Sequence, residues 1–265
     1  MTRWLLLAVT ALFLGLFLLL PLAAIFAEAL RKGFGVYWAA VTDPAALAAI
    51  RLTLLVTAIA VPLNAAFGLA AAWAIARFRF PGRSALLTLI DLPLAVSPVV
   101  TGLMYMLIFG LQGLAGRWLW ERGIEVVFAA PGIVLATLFV TFPYVARELI
   151  PLLEEQGEEE EQAARMLGAG GWQTFWRITL PNVRFALLYG VILSTARAIG
   201  EFGAVSVVSG HIRGRTVTAP LHIEILYNEY NFTGAFAVAT VLALTALATL
   251  AARSLLEWRA GEAAR

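Results

Sequence analysis

Four stretches of this chain, residues 4–27, 52–76, 126–146 and 232–252, run for about 20 positions or more without one charged side chain. A helix crosses the hydrocarbon core of a bilayer with about 20 mostly apolar residues, because it satisfies its own backbone and rises about 1.5 Å per residue. Two further stretches qualify with interruptions: residues 84–110 contain Asp91, and residues 185–209 contain Arg197 and Glu201. The expectation is an all-α integral membrane protein with six transmembrane helices. Only 14% of the 265 residues are charged and the mean hydropathy is +0.85, against about 25% charged residues in a soluble domain. The first run could be a secretory signal, since Arg3 precedes it and Ala27-Glu28-Ala29 resembles a cleavage site. Its 24 uncharged residues exceed the apolar region of about 7–15 typical of signals, so a retained helix is expected.

Orientation follows from Lys and Arg, which short cytoplasmic loops retain during insertion. With the N-terminus inside, 11 of the 19 basic residues fall in cytoplasmic segments and 7 outside, leaving Arg197 within a span. Arg77, Arg79 and Arg83 in one tight loop give the clearest single indication. Both termini are therefore expected in the cytoplasm, together with the longest polar stretch, residues 147–184. That stretch can build two or three short helices but no catalytic domain, and no internal repeat is evident. The net charge of +2 offers no basic stripe for nucleic acid. Without cysteine the chain has no disulfide, thiolate metal site or cysteine nucleophile. His211 and His222 lack a metal-ligand pattern and read as structural or surface residues.

Two features interrupt the apolar runs. Asp91 is followed by Pro93 and Pro98, which remove backbone donors, while Ser97 and Thr101 can re-satisfy carbonyls freed by a break. This is either a packing kink or a broken helix lining a passage for solute. Arg197 and Glu201, one turn apart near the middle of the fifth span, can pair structurally or serve that passage. Asp91, Ser97, Thr101, Arg197 and Glu201 are thus the candidate translocation pathway.

The polar island at residues 158–182 is the most informative segment. Glu158 to Glu161 precede a run of helix formers and complement a helix N-terminus, reading as a solvated face. Gly168 is expected to stop that helix, with Ala169-Gly170-Gly171 reversing the chain. A second short helix is expected from near Trp172, with Trp172, Phe175 and Trp176 on one face, ending before Pro181. Such a face suits either the headgroup layer of the lipid bilayer or a soluble partner.

The spacing of these residues carries a resemblance. Gln162-Ala163-Ala164, Gly168, Ile178 and Leu180-Pro181 fall in the register of the EAA motif of binding-protein-dependent ABC importer permeases, and Trp172 and Phe175 also resemble the family. The family's leading Glu is Gln162 here, with Glu161 adjacent, which puts in doubt any salt bridge from that position. The resemblance implies a type I permease fold in which this loop supplies coupling helices to a separate ATPase. It also implies an outer connector and first helix (1–48), a transmembrane domain (49–256) and a cytoplasmic tail (257–265). The chain has no phosphate-binding loop, since residues 210–216 have the wrong spacing and no lysine. No cofactor is therefore expected here, ATP and Mg being bound by the partner ATPase.

Residues 196–210 and 220–227, with Asp91-Leu92-Pro93 and Ser97-Pro98, resemble the W-type permeases of sulfate/thiosulfate importers. The resemblance implies a homologous second permease, two ATPase subunits, a periplasmic sulfate-binding protein and a bacterial inner membrane. Molybdate/tungstate permeases are the alternative. A self-sufficient anion channel or carrier using Asp91, Arg197 and Glu201 is the rival from another class. A membrane-embedded enzyme finds no support in any nucleophile or paired-carboxylate pattern.

Overall fold

The computed structural model describes residues 2–263, with side chains over residues 3–256; the side chains of the expected tail, 257–265, lie outside the described residues. The first apolar run forms α1 (Arg3–Leu30), and the outer connector folds into α2 (Phe34–Val41). There follow α3 (Pro44–Arg77), α4 (Arg83–Ala95), α5 (Pro98–Phe109), α6 (Gly116–Trp120) and α7 (Ala130–Gln156). The second half comprises α8 (Glu159–Met166), α9 (Gly171–Ile199), α10 (Gly203–Val208), α11 (Ala219–Asn228) and α12 (Phe232–Ala263). Five helices, α1, α3, α7, α9 and α12, are each long and apolar enough to cross a membrane. The pair α4 and α5 is long and apolar enough to make a sixth when the two helices are taken together, but it is bent by 108° between them.

That bend decides between kink and break. Val96 and Ser97 are both extended, with ψ of 132° and 135°, because a residue before proline is pushed out of helical space. Pro98 then opens α5, where its missing N–H costs nothing. Thr101 re-satisfies the Ser97 carbonyl through both its N–H, at 3.0 Å, and its hydroxyl, at 3.4 Å.

α7 is the centre of the bundle, packed by α3, α9, α4, α5 and α10. Small residues let it be approached closely. A Cβ on Gly68 of α3 would lie 2.9 Å from Val145 Cβ, and one on Gly190 of α9 would lie 3.0 Å from Val145 Cα. Around these contacts Ala72, Ile75, Leu149, Leu153 and Val183 form the inner core, while Val56, Ile133, Val140, Val205 and Leu221 form the outer one. Asn64, fully buried on α3, donates to Thr141 Oγ1 at 2.7 Å, an interhelical bond of the kind that fixes register in membranes. α1 is peripheral: it leans on α12 and exposes Leu5, Phe13, Phe17 and Leu20 along its length. In lipid that belt is satisfied; in water it would be an aggregation surface.

Three expected boundaries are corrected. The short helix was expected to end before Pro181, yet α9 runs through it, because residues Phe175–Thr179 widen into a π turn. Leu180 N–H then reaches Phe175 O, and the proline ring meets no i−4 carbonyl in hydrogen-bond register. Pro21 uses the same device after the π turn Gly15–Leu19. α7 continues to Gln156, which places Arg147 inside a helix and not in a loop. The fifth span ends at Ile199, so Glu201 lies in the break before α10 and not in mid-helix.

The outer segment beyond residue 209 is more ordered than its turn-like sequence implies. Thr53 of α3 accepts from Ala219 N–H at 2.8 Å, anchoring α11, whose Leu221 and His222 are buried. Burial pushes the His222 imidazole below its usual range, with the Asp43 carboxylate opposing. His211 instead sits half exposed, 3.7 Å from Glu224.

Candidate functional site

The polar island builds a tightly defined projection. Glu159, Glu160 and Glu161 occupy the first turn of α8, where carboxylates complement the helix dipole. At the other end Gly168 has φ of +89°. Its N–H meets Arg165 O at 3.0 Å, and Ala169 N–H meets Ala164 O at 3.0 Å. This pair of bonds is the Schellman arrangement, which satisfies the last carbonyls and turns the chain towards α9. Trp172, Phe175 and Trp176 cluster with ring centroids 5.6–5.8 Å apart. Phe175 also packs on Trp73 of α3 at 5.4 Å, which roots the cluster in the bundle.

What remains outside is a ridge of large apolar side chains. Met166 and Leu167 are 89% and 90% exposed, and Trp172 and Trp176 are 74% and 52% exposed. Ala163 and Pro181 are exposed, Ile178 and Leu180 are half buried, and Ala164 is buried. Sequence reasoning named the aromatics, noted Leu167 only for its resemblance to the family, and missed Met166. The signal for both was positional: two apolar residues directly before a C-terminal glycine, where a helix end points into solvent.

The acidic run is not simply a solvated face. Glu161 is buried, and its carboxylate accepts from Arg77 Nε at 3.1 Å and from the Thr179 hydroxyl at 2.7 Å. Arg77 in turn donates to the Leu153 carbonyl at 2.6 Å. One carboxylate therefore ties α8 to α3, α7 and α9 at the end of the bundle that carries the polar island. Asn182 adds a bond to Glu160 at 2.5 Å. Gln162 is exposed and reaches only Glu158 of its own helix at 3.3 Å. The salt bridge in doubt at Gln162 is made by its neighbour, within the chain.

The pathway candidates divide into separate groups. Arg197 Nη1 lies 3.0 Å from Glu201 Oε2, with the Glu201 side chain almost wholly buried and Arg197 one third exposed. Glu201 Oε1 accepts Ala204 N–H at 3.0 Å and so caps α10. Ser97, in the α4–α5 break, is exposed, and Thr101, one turn into α5, is buried. The two broken segments adjoin: a Cβ on Gly203 would lie 2.9 Å from Pro98 Cβ, and one on Gly102 would lie 2.7 Å from Val207 Cβ. Gly102→Leu is therefore expected to destabilise the bundle by at least about 1–3 kcal/mol, read as a lower thermal midpoint in detergent; an unchanged midpoint would refute this packing. Asp91 joins neither group. It pairs with Arg147 of α7 at 3.4 Å.

The profile of a protein family described as the binding-protein-dependent transport system inner membrane component matches residues 64–258. The chain belongs to this family. Among its relatives, the sulfate transport system permease protein CysW of Escherichia coli (strain K12) is 52% identical over 97% of this chain and 88% of that protein. The permease protein CysT of the same sulfate transport system is 39% identical over 96% of this chain and 92% of its own length. A chain in the crystal structure of a bacterial alginate ABC transporter, in complex with an alginate pentasaccharide-bound periplasmic protein, superposes with a TM-score of 0.81. At 17% identity, over 97% of this chain and 94% of that one, it shares the fold. The protein is thus a membrane permease subunit of an ABC importer and not an enzyme; ATP hydrolysis belongs to separate subunits.

Proposed function

We propose that this permease subunit imports sulfate and thiosulfate, driven by ATP hydrolysis on two separate ATPase subunits that the α8 ridge engages. The observation carrying the coupling role is a hydrophobic projection rooted in three spans: Met166, Leu167, Trp172 and Trp176 stand outside while Glu161, Arg77 and Thr179 fix them beneath. A shift of the docked ridge on nucleotide closure moves α9, and α9 leads directly to the break at residues 200–202 beside Glu201. The subunit sits in the bacterial inner membrane with both termini cytoplasmic, pairs with a homologous second permease, and receives its anion from a periplasmic binding protein. Sulfate as cargo rests on the 52% identity to a sulfate permease protein.

The test is uptake into proteoliposomes containing this chain, its permease and ATPase partners and the binding protein. Labelled sulfate should accumulate only with ATP, and unlabelled thiosulfate should compete while molybdate and tungstate should not. Competition by molybdate alone would reassign the cargo. Anion flux through this chain by itself, without ATP, would instead make it a channel or carrier.

A further inference from the structure

We infer that Arg147 and Asp91 form an inner anion station, at which a translocating oxyanion exchanges with the Asp91 carboxylate on the Arg147 guanidinium. This rests on the anion-import reading above and adds a site to it.

The pair bridges α7 and α4, with Arg147 Nε 3.4 Å from Asp91 Oδ1. Each charge sits well inside its helix. Arg147 is nine residues from the cytoplasmic end of α7 and Asp91 eight residues from that of α4, or about 14 and 12 Å at helical rise. Both side chains stay more than half exposed, at 58% and 53%. Charges at such depth are costly against lipid and so face a bundle interior or a watered passage. The neighbours on α7 account for its other faces: Val145 and Ala146 are buried in the inner core, and Glu148 lies beside Gly190 of α9. Among residues 141–150 of α7, Arg147 alone is exposed.

The chemistry suits reversible capture. A guanidinium offers a planar fork of donors to a tetrahedral oxyanion. Among the described residues, no hydrogen bond engages the terminal nitrogens of Arg147. A lone arginine at this depth would hold a dianion and stall transport. With Asp91 beside it, the resting site is neutral, the anion must displace a carboxylate to bind, and that carboxylate repels it onward. Passage needs binding that is strong enough to enter and weak enough to leave.

The chain has no cysteine, so Asp91→Cys gives this subunit a single reporter thiol, whose labelling is followed on this subunit in the transporter assembled with its permease and ATPase partners. A membrane-impermeant methanethiosulfonate should label it, saturating sulfate should slow labelling at least about threefold, and adding Arg147→Gln should abolish that shielding. Arg147→Gln alone should lower uptake at least about tenfold with assembly and basal ATPase intact, and Arg147→Lys should recover part of it. A thiol that is unlabelled in every nucleotide state, or labelled at a rate indifferent to sulfate while the unsubstituted transporter imports sulfate, overturns the station. Failure of the unsubstituted transporter to import sulfate would count against the cargo reading instead.

Discussion

Glu161→Ala is expected to destabilise the protein by about 3–5 kcal/mol, the cost of removing one partner of a buried ion pair, and to lower anion uptake more than it lowers ATP hydrolysis. Truncation strands Arg77, whose side chain is 7% exposed, and frees the Thr179 hydroxyl beside it. It also cuts the ion pair that joins α8 to α3, leaving the Asn182–Glu160 bond and the Gly168 turn as the links from α8 to α9. The stranded charge gives the change in stability. The lost tie gives the change in coupling, because motion of α8 reaches α9 alone and no longer α3 and α7. The two separate in a double-mutant cycle. Glu161→Met with Arg77→Met removes both charges together, and replacement of a buried pair by apolar residues is often nearly neutral. The double variant should therefore recover most of the thermal midpoint while its ATP consumed per anion imported stays high. Recovery of both quantities would reduce the pair to packing alone; a midpoint unchanged by Glu161→Ala would contradict its burial.

Gly168→Val should uncouple without unfolding. The φ of +89° is strained for any L side chain and worst for a β-branched one, costing about 1–3 kcal/mol locally. No heavy atom lies within 4 Å of where a Cβ would stand, so the penalty is conformational and not steric. The turn relaxes by giving up the two Schellman bonds at Gly168 and Ala169, which displaces Met166 and Leu167. Uptake is expected to fall at least about tenfold, a loss of about 1.4 kcal/mol of coupling, with membrane insertion retained and the thermal midpoint lowered by no more than about 10 °C. Gly168→Asn should be milder, since asparagine tolerates the left-handed region better. Wild-type uptake by Gly168→Val would remove the loop from the mechanism.

The spans were legible because hydrophobicity along a chain is a one-dimensional property, and the bilayer sets one length. The Gly168 turn was legible for a similar reason: a glycine directly after a run of helix formers has few other uses. Where the sequence reading went astray, three-dimensional context had decided. Pro181 is a helix breaker by local rules, and only the π turn at Phe175–Thr179 lets α9 pass through it. Glu161 looks like its three acidic neighbours until α8 is laid across Arg77 and Thr179. Arg147 marked the end of a span by charge, yet α7 carries it inward against Asp91. The Arg197–Glu201 pair was correctly joined, but its setting was not, since Glu201 leaves the helix to cap α10. In each case an isolated charge or proline was priced as if it faced solvent or an ideal helix.

The exposed ridge of Met166, Leu167, Trp172 and Trp176 is proposed as the contact through which an ATPase drives this permease. A photoreactive benzophenone on the single thiol of Leu167→Cys tests it most directly, in transporter assembled in membranes. A cross-link to the ATPase subunit is expected, one that persists through the cycle and shifts to different ATPase residues when ATP is trapped. A probe that links only to lipid or to this chain itself, in an assembly that still couples ATP hydrolysis to uptake, would contradict it.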